Sequence, residues 1–188
     1  ITGNFIGNNT AIITNYKTID SISANFIGNL GGAIQQDTNY IGSGIPSIRS
    51  ITGIFIQNQS FYGGAIYNIN DENIHIDEIE ADFINNSARD SGGAIYNHIA
   101  FIGKIKGNFI GNYAEGTFSE GGAISNTGNI ESIDGLFLNN YALSPNNYAW
   151  GGAIKNDTGK IGNLNANFEN NHVEGKNWAL GGAIYNSR

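Results

Sequence analysis

Apolar residues recur along this chain in columns about thirty residues apart, and the columns run in phase with one another. The motif Phe-x-x-Asn gives the clearest reference, beginning at Phe5, Phe26, Phe55, Phe83, Phe109, Phe137 and Phe168. Four residues before each Phe stand Ile1, Ile22, Ile51, Ile79, Ile105, Ile133 and Leu164. Two before stand Gly3, Ala24, Gly53, Ala81, Gly107, Gly135 and Ala166. These positions share one parity, as the inward face of a strand requires. The inward order is large, small, large. The small residue is expected to make room for the Phe ring, which stacks on the Phe of the next repeat. Seven residues before the Phe runs a further apolar column, Ile19, Ile48, Ile76, Ile102, Ile130 and Ile161, of opposite parity. A bend is therefore expected between the two columns. The residue after the Phe is also apolar, except at Glu169. It faces either inward across a second bend or outward as an apolar stripe.

A second motif, Gly-Gly-Ala-Ile, starts at Gly31, Gly63, Gly92, Gly121, Gly151 and Gly181, with spacings of 32, 29, 29, 30 and 30 residues. Each repeat thus holds three expected strand segments: around Gly-Gly-Ala-Ile, around the first Ile column, and into the Phe. Ile favours strands, while Asn and Gly favour turns. Asn-Gly, the preferred two-residue hairpin turn, does not occur in the chain. Identical residues recurring in register fit parallel stacking of equivalent strands. A period near thirty is too long for the left-handed hexapeptide type. The fold class expected is all-β, one right-handed parallel β-helix of six to seven coils, occupying residues 1–188 as one domain.

Asparagine forms two more columns. One follows the Phe: Asn8, Asn29, Asn58, Asn86, Asn112, Asn140 and Asn171. The other follows Gly-Gly-Ala-Ile: Asn68, Asn97, Asn126, Asn156 and Asn186. A stacked amide can donate to one neighbour and accept from the other, so both read as ladders at turns.

Variation is confined to two edges. Between Phe-x-x-Asn and the next Gly-Gly the inserts grow as 1, 4, 5, 8, 10 and 9 residues. On the other edge the spacers shrink from 13 residues, beginning with Gln35–Ser47, which reads as a surface loop. The growing edge carries Phe61, Tyr62, Tyr113, Phe118, Tyr141, Tyr148, Trp150 and Trp178. Variable inserts on one face of a repeat protein often form its binding face. These aromatics either stack on a sugar or anchor a partner protein, or they fold back and cover their own coil.

Composition narrows the functional classes. The net charge is −7 with 13% charged residues and no Lys/Arg cluster, which argues against nucleic acid and anionic membrane as partners. No apolar run is long enough to insert into a bilayer. There is no Cys, so disulfides, thiolate metal sites and a Cys nucleophile are excluded. His75, His98 and His172 occupy unrelated positions in the repeat, so no metal site and no cofactor is expected. Glu78, Glu80, Lys104, Lys106 and Asp134 align as alternating ion pairs between neighbouring strands. Catalytic carboxylates would need to face each other without such neutralisation. No catalytic residue is assigned. An enzyme acting on polysaccharide is the weakest alternative.

Gly-Gly-Ala-Ile alternating in phase with Phe-x-x-Asn from Phe5 to Asn186 resembles the passenger repeats of bacterial polymorphic membrane proteins, a type of autotransporter. The resemblance implies an exported, surface-displayed β-helix, often an adhesin, without catalytic residues. It departs at the first repeat, where Asn9-Thr10-Ala11-Ile12 stands without Gly-Gly. Neither end reads as a polar cap, and joining Arg188 to Ile1 nearly restores the approach to Phe55. The expected partners are therefore the rest of a longer β-helix or another copy stacked head to tail as a filament subunit, together with a host protein or glycan. The expected location is extracellular or at the cell surface.

Overall fold

The computed structural model describes residues 1–37 and 44–187. Part of the expected loop Gln35–Ser47, at 38–43, lies outside the described residues. The described residues wind into a parallel β-solenoid with three faces, and none of them is helical. The recurrence of about thirty residues thus corresponds to one coil of the chain.

The long face stacks Thr2–Ile6, Thr18–Ile27, Ser47–Ile56, His75–Ile84, Phe101–Ile110, Asn129–Leu138 and Lys160–Glu169 in chain order. Its strands pair in parallel with Phe on Phe, as in Phe26↔Phe55 and Phe55↔Phe83. The two expected segments before the Phe are one continuous strand. The bend between them survives as a kink: pairing passes from Ile19↔Ile48 to Ser21↔Ser50, omitting the residue between. Skipping one residue resets the parity of the side chains. Ile48 and Ile51, three apart, are therefore both buried. The column after the Phe lies on the outside, half-buried at Ile27, Ile56, Ile84, Ile110 and Leu138.

The Gly-Gly face stacks Ile13–Asn15, Ile34–Gln36, Ile66–Ile69, Ile95–His98, Ile124–Asn126, Ile154–Asp157 and Ile184–Ser187. Its Ile side chains point inward and meet the long face in a single apolar core.

The third face is built from the growing inserts, which sequence reading had placed only as a variable edge. Gln59–Tyr62 pairs with Ser87–Ser91. Beyond that strand the sheet forks into two arms. Tyr113–Glu115, Tyr141–Ser144 and His172–Gly175 form one; Ser119–Glu120, Tyr148–Trp150 and Trp178–Leu180 form the other. Both arms start from Ser87–Ser91, through Ala114↔Ala88 and Glu120↔Ser91. Small inward side chains, Ala88, Ala114, Ala142 and Ala149, are buried along these arms.

Inside the solenoid the Phe rings form one unbroken stack. Successive centroids lie 5.1, 4.9, 4.9, 4.7, 4.6 and 4.9 Å apart, with ring planes within 12° of each other. That spacing is the interstrand distance itself, so each ring repeats one coil higher. Both Asn columns are hydrogen-bonded ladders. Along the second, Asn68, Asn97, Asn126 and Asn156 each donate to the next amide oxygen at 2.7–2.8 Å. Gln36 and Asn15 continue this ladder toward the first coil.

The small column before the Phe has two physical causes. Ala24 and Ala81 are buried small side chains, as expected. At Gly53 the backbone decides instead: φ is +133°, and a Cβ there would collide with the carbonyl oxygen of Ala24.

Candidate functional site

The rings of the aromatic edge contact one another, and three of them nevertheless stay exposed. Tyr113 and Tyr141 stack at 4.9 Å with planes 4° apart, and His172 continues that stack at 5.3 Å. Tyr141 is covered on both faces by this stack, while Tyr113, beside Ser87 of the preceding coil, borders a hollow of about 520 Å³. Tyr62 folds back over the Gly-Gly face, 5.0 Å from Tyr96 and 6.2 Å from Tyr67. Tyr148 lies between Phe118 and Trp178, at 6.1 and 5.3 Å, and 5.6 Å from Trp150. Trp150 in turn sits 6.3 Å from Tyr185. Phe61, Phe118 and Trp178 remain 54%, 42% and 64% exposed.

Behind the inserts lies a polar seam that the sequence did not announce. Lys155, on the outer side of Ile154–Asp157, has a side chain only 5% exposed. Its ammonium pairs with Glu120 Oε2 at 3.0 Å and Asp157 Oδ2 at 3.1 Å. Ser125 is its register neighbour one coil earlier, and this short side chain leaves room for the ammonium to reach Glu120. Ser91 Oγ donates to the same Glu120 Oε2 at 3.3 Å. Burial raises the pKa of Asp90 above the usual carboxylate range, against the lowering contribution of the Tyr62 hydroxyl. Burial likewise raises the hydroxyls of Tyr62 and Tyr96. The carboxyl of Asp157 is held below its usual range, first by the Ser187 hydroxyl and then by Lys155. Pairing a lysine with two acids satisfies its charge and pins the insert arm to the Gly-Gly face. The signal in the sequence was the polar residue directly before Gly-Gly, Ser91 or Glu120, where later repeats carry Trp150 and Leu180.

At the fork the coils step outward and leave a notch of about 420 Å³ lined by Phe61, Arg89, Asp90, Glu115, Gly116, Thr117 and Phe118. Phe61 and Arg89 also border a second hollow on their other side, about 560 Å³ with Leu30, Gly31, Gln59 and Ser60. Sequence reading named Phe61 and Phe118 for this edge but not Arg89 or Leu30, because the step appears only once insert lengths become strand positions.

The other expected chemistry is placed as follows. Lys104 pairs with Glu78 at 3.2 Å and Lys106 with Glu80 at 2.7 Å, both on the outer surface of the long face. Asp134 is the register neighbour of Lys106 on its other side. The three histidines stay apart in role. His75 contacts the Asn73 carbonyl at 2.9 Å, His98 the Thr127 hydroxyl at 2.7 Å, and His172 stacks on Tyr141. Among the described residues no group of three or more His, Asp or Glu side chains is arranged to hold a metal ion.

The greater part of one coil runs from Glu80, within the long-face strand, through Phe83 and Asn86, across Ser87–Ser91, to Gly92-Gly93-Ala94-Ile95 and His98. Residues 80–98 match the Chlamydia polymorphic membrane protein repeat. The matched polymorphic membrane protein repeat therefore carries a Phe of the core stack, an Asn of the first ladder, the strand at the fork and one Gly-Gly turn. The other coils present the same two tetrapeptides at the same positions of the solenoid, except the first, where Asn9-Thr10-Ala11-Ile12 replaces Gly-Gly-Ala-Ile. No curated protein and no solved structure matches the chain. No helix among the described residues is long and apolar enough to cross a membrane.

Proposed function

We propose that this chain is a non-enzymatic β-helical scaffold displayed at a cell surface, adhesin-like in role, that contacts a partner protein or glycan through its insert face. The observation that carries this reading is the exposure of Phe61, Phe118 and Trp178 on the face built from the growing inserts. Large exposed aromatics are typical anchors of protein contacts. The polymorphic membrane protein repeat supports surface display. Glu78 and Glu80 on the long face pair with Lys104 and Lys106, which supports a structural rather than catalytic role for these two acids. The test is binding of the purified chain to cultured epithelial cells. Replacing Phe61, Phe118 and Trp178 together by Ala is expected to weaken attachment by about tenfold or more, at unchanged melting temperature. Attachment unaffected by the triple substitution would rule out this face.

A second reading is favoured by the open layer of the last coil. Leu164 and Ile184 are exposed there, whereas their counterparts in inner coils are buried. That layer accepts another coil, either from the same polypeptide or from a second copy stacked head to tail. Gly182 supplies the test, since a Cβ there meets nothing within 4 Å. Gly182→Ala is expected to leave the melting temperature unchanged while abolishing any filaments of the chain seen by electron microscopy. Filaments persisting in the variant would exclude stacking on this layer.

A further inference from the structure

The sheet of the insert face begins inside the rod. Only Leu30 stands between Asn29 and Gly31, so the second coil has no insert strand to lay beside Gln59–Tyr62. One edge of Gln59–Tyr62 pairs with Ser87–Ser91. The other edge is met at Gln59 alone, where Leu30 forms an isolated bridge. Gln59 N–H donates to the Asn29 carbonyl at 2.8 Å, and the Gln59 carbonyl accepts from Gly31 and Gly32 N–H at 2.7 and 3.0 Å. Pairing passes from Ser60↔Ala88 to Tyr62↔Ser91, so the extra residue of this register shift lies in Ser87–Ser91. Gln59–Tyr62 itself keeps its alternation, so the next pair facing the other edge belongs to Phe61. Among the described residues no backbone bond reaches Phe61 from the second coil. A row of unpaired strand groups is a template for another strand.

The space in front of that edge suits a side-chain-bearing backbone. It is the hollow of about 560 Å³ whose walls include Leu30 and the half-exposed Phe61. Arg89 is its one charged lining residue. No ion pair to Arg89 forms among the described residues. On a chain of net charge −7, this leaves an unneutralised guanidinium beside an open strand edge.

We propose that the step at Gln59–Tyr62 takes an extended polypeptide segment, added as a further strand. Its backbone bonds the N–H and carbonyl of Phe61. An apolar side chain rests against Leu30 and Phe61, and an acidic side chain pairs with Arg89. Main-chain bonds supply affinity in such strand addition, and side-chain pockets supply selectivity. A glycan offers hydroxyls but no peptide groups at strand spacing, so the edge favours polypeptide. The proposal rests on the reading of the insert face as a contact surface and names the partner class for it.

The test is fluorescence anisotropy with a labelled hexapeptide alternating valine and threonine around one central glutamate. The full chain is expected to bind it saturably. The same peptide N-methylated at alternate residues is expected not to bind, because strand pairing is blocked without touching the protein. Arg89→Glu is expected to weaken binding about tenfold and to favour a lysine-centred peptide instead. Absence of saturable binding, equal binding of the N-methylated peptide, or indifference to Arg89→Glu would each overturn the proposal. So would displacement of the peptide by an acidic oligosaccharide at equal concentration. The broader contact function fails separately, when the triple aromatic variant loses no cell attachment.

Discussion

Asn86→Ala is expected to destabilise the chain by about 4 kcal/mol or more, lowering the midpoint of thermal unfolding by roughly 10 °C. Asn86 is fully buried and sits in the middle of the first ladder. Its Nδ2 donates to the Phe55 carbonyl at 2.9 Å and to Asn112 Oδ1 at 3.0 Å. Its Oδ1 accepts from Asn58 N–H at 3.0 Å and Asn58 Nδ2 at 2.9 Å. One truncation therefore removes four bonds and strands buried donors and acceptors on two neighbouring coils. Each buried group left unsatisfied costs about 1–3 kcal/mol, more than the net value of the bond it loses. The surface pair Asn25 and Asn4 gives the control. Asn25 Nδ2 donates to Asn4 Oδ1 at 2.9 Å in an exposed position, where water replaces the lost partner. Asn25→Ala should shift stability by no more than about 0.5 kcal/mol. Circular dichroism melts of both variants check the contrast, and equal losses would show that the ladder does not carry the stability argued for it.

The ladder was legible in the sequence because a solenoid converts periodicity into contact. Residues thirty apart become neighbours about 4.8 Å apart, so a column of Asn or Phe in the sequence is a column in space. Phe83 on Phe109 and Lys104 on Glu78 followed from alignment alone. The inserts do not repeat, and there the sequence was less informative. Alternation within Tyr141–Ser144 is too short to separate a strand from a loop, and its inward Ala142 carries little hydrophobic signal. What makes these segments strands is the ladder offered by the coil beneath, a tertiary effect that outweighs local propensity. The step at Gln59–Tyr62 was hidden for a related reason. It depends on the second coil lacking a strand, which is a difference between repeats, whereas alignment of repeats highlights what they share. Lys155 was equally hard to find, because its partners come from another face and from its own strand.

Gly93→Ala is expected to prevent the coils around it from closing, with a loss of about 4 kcal/mol or more and failure of much of the expressed chain to fold. A Cβ on Gly93 would lie 2.0 Å from the Gly122 oxygen, 2.5 Å from the Tyr113 oxygen and 2.6 Å from the Tyr113 nitrogen. All three atoms are backbone of the next coil, so no side chain can swing aside. Relief requires pulling that coil away, which breaks Gly93 N–H to Gly121 O at 3.2 Å and strains Ala94 N–H to Ala123 O at 2.9 Å. Those bonds join the turn at which every later coil enters the Gly-Gly face. The defect therefore propagates along the stack, since each coil is held by its neighbours. Gly182 holds the same place in its motif with an open side, so Gly182→Ala isolates the cause. Soluble yield and denaturant midpoint should collapse for Gly93→Ala and stay at the wild-type value for Gly182→Ala. If both variants fold alike, close approach of successive coils is not the reason for the second glycine. The first glycine has a separate reason: Gly92 sits at φ +65°, where a side chain is strained whatever the space. The doubled glycine thus meets two independent demands, a left-handed turn and contact with the coil above.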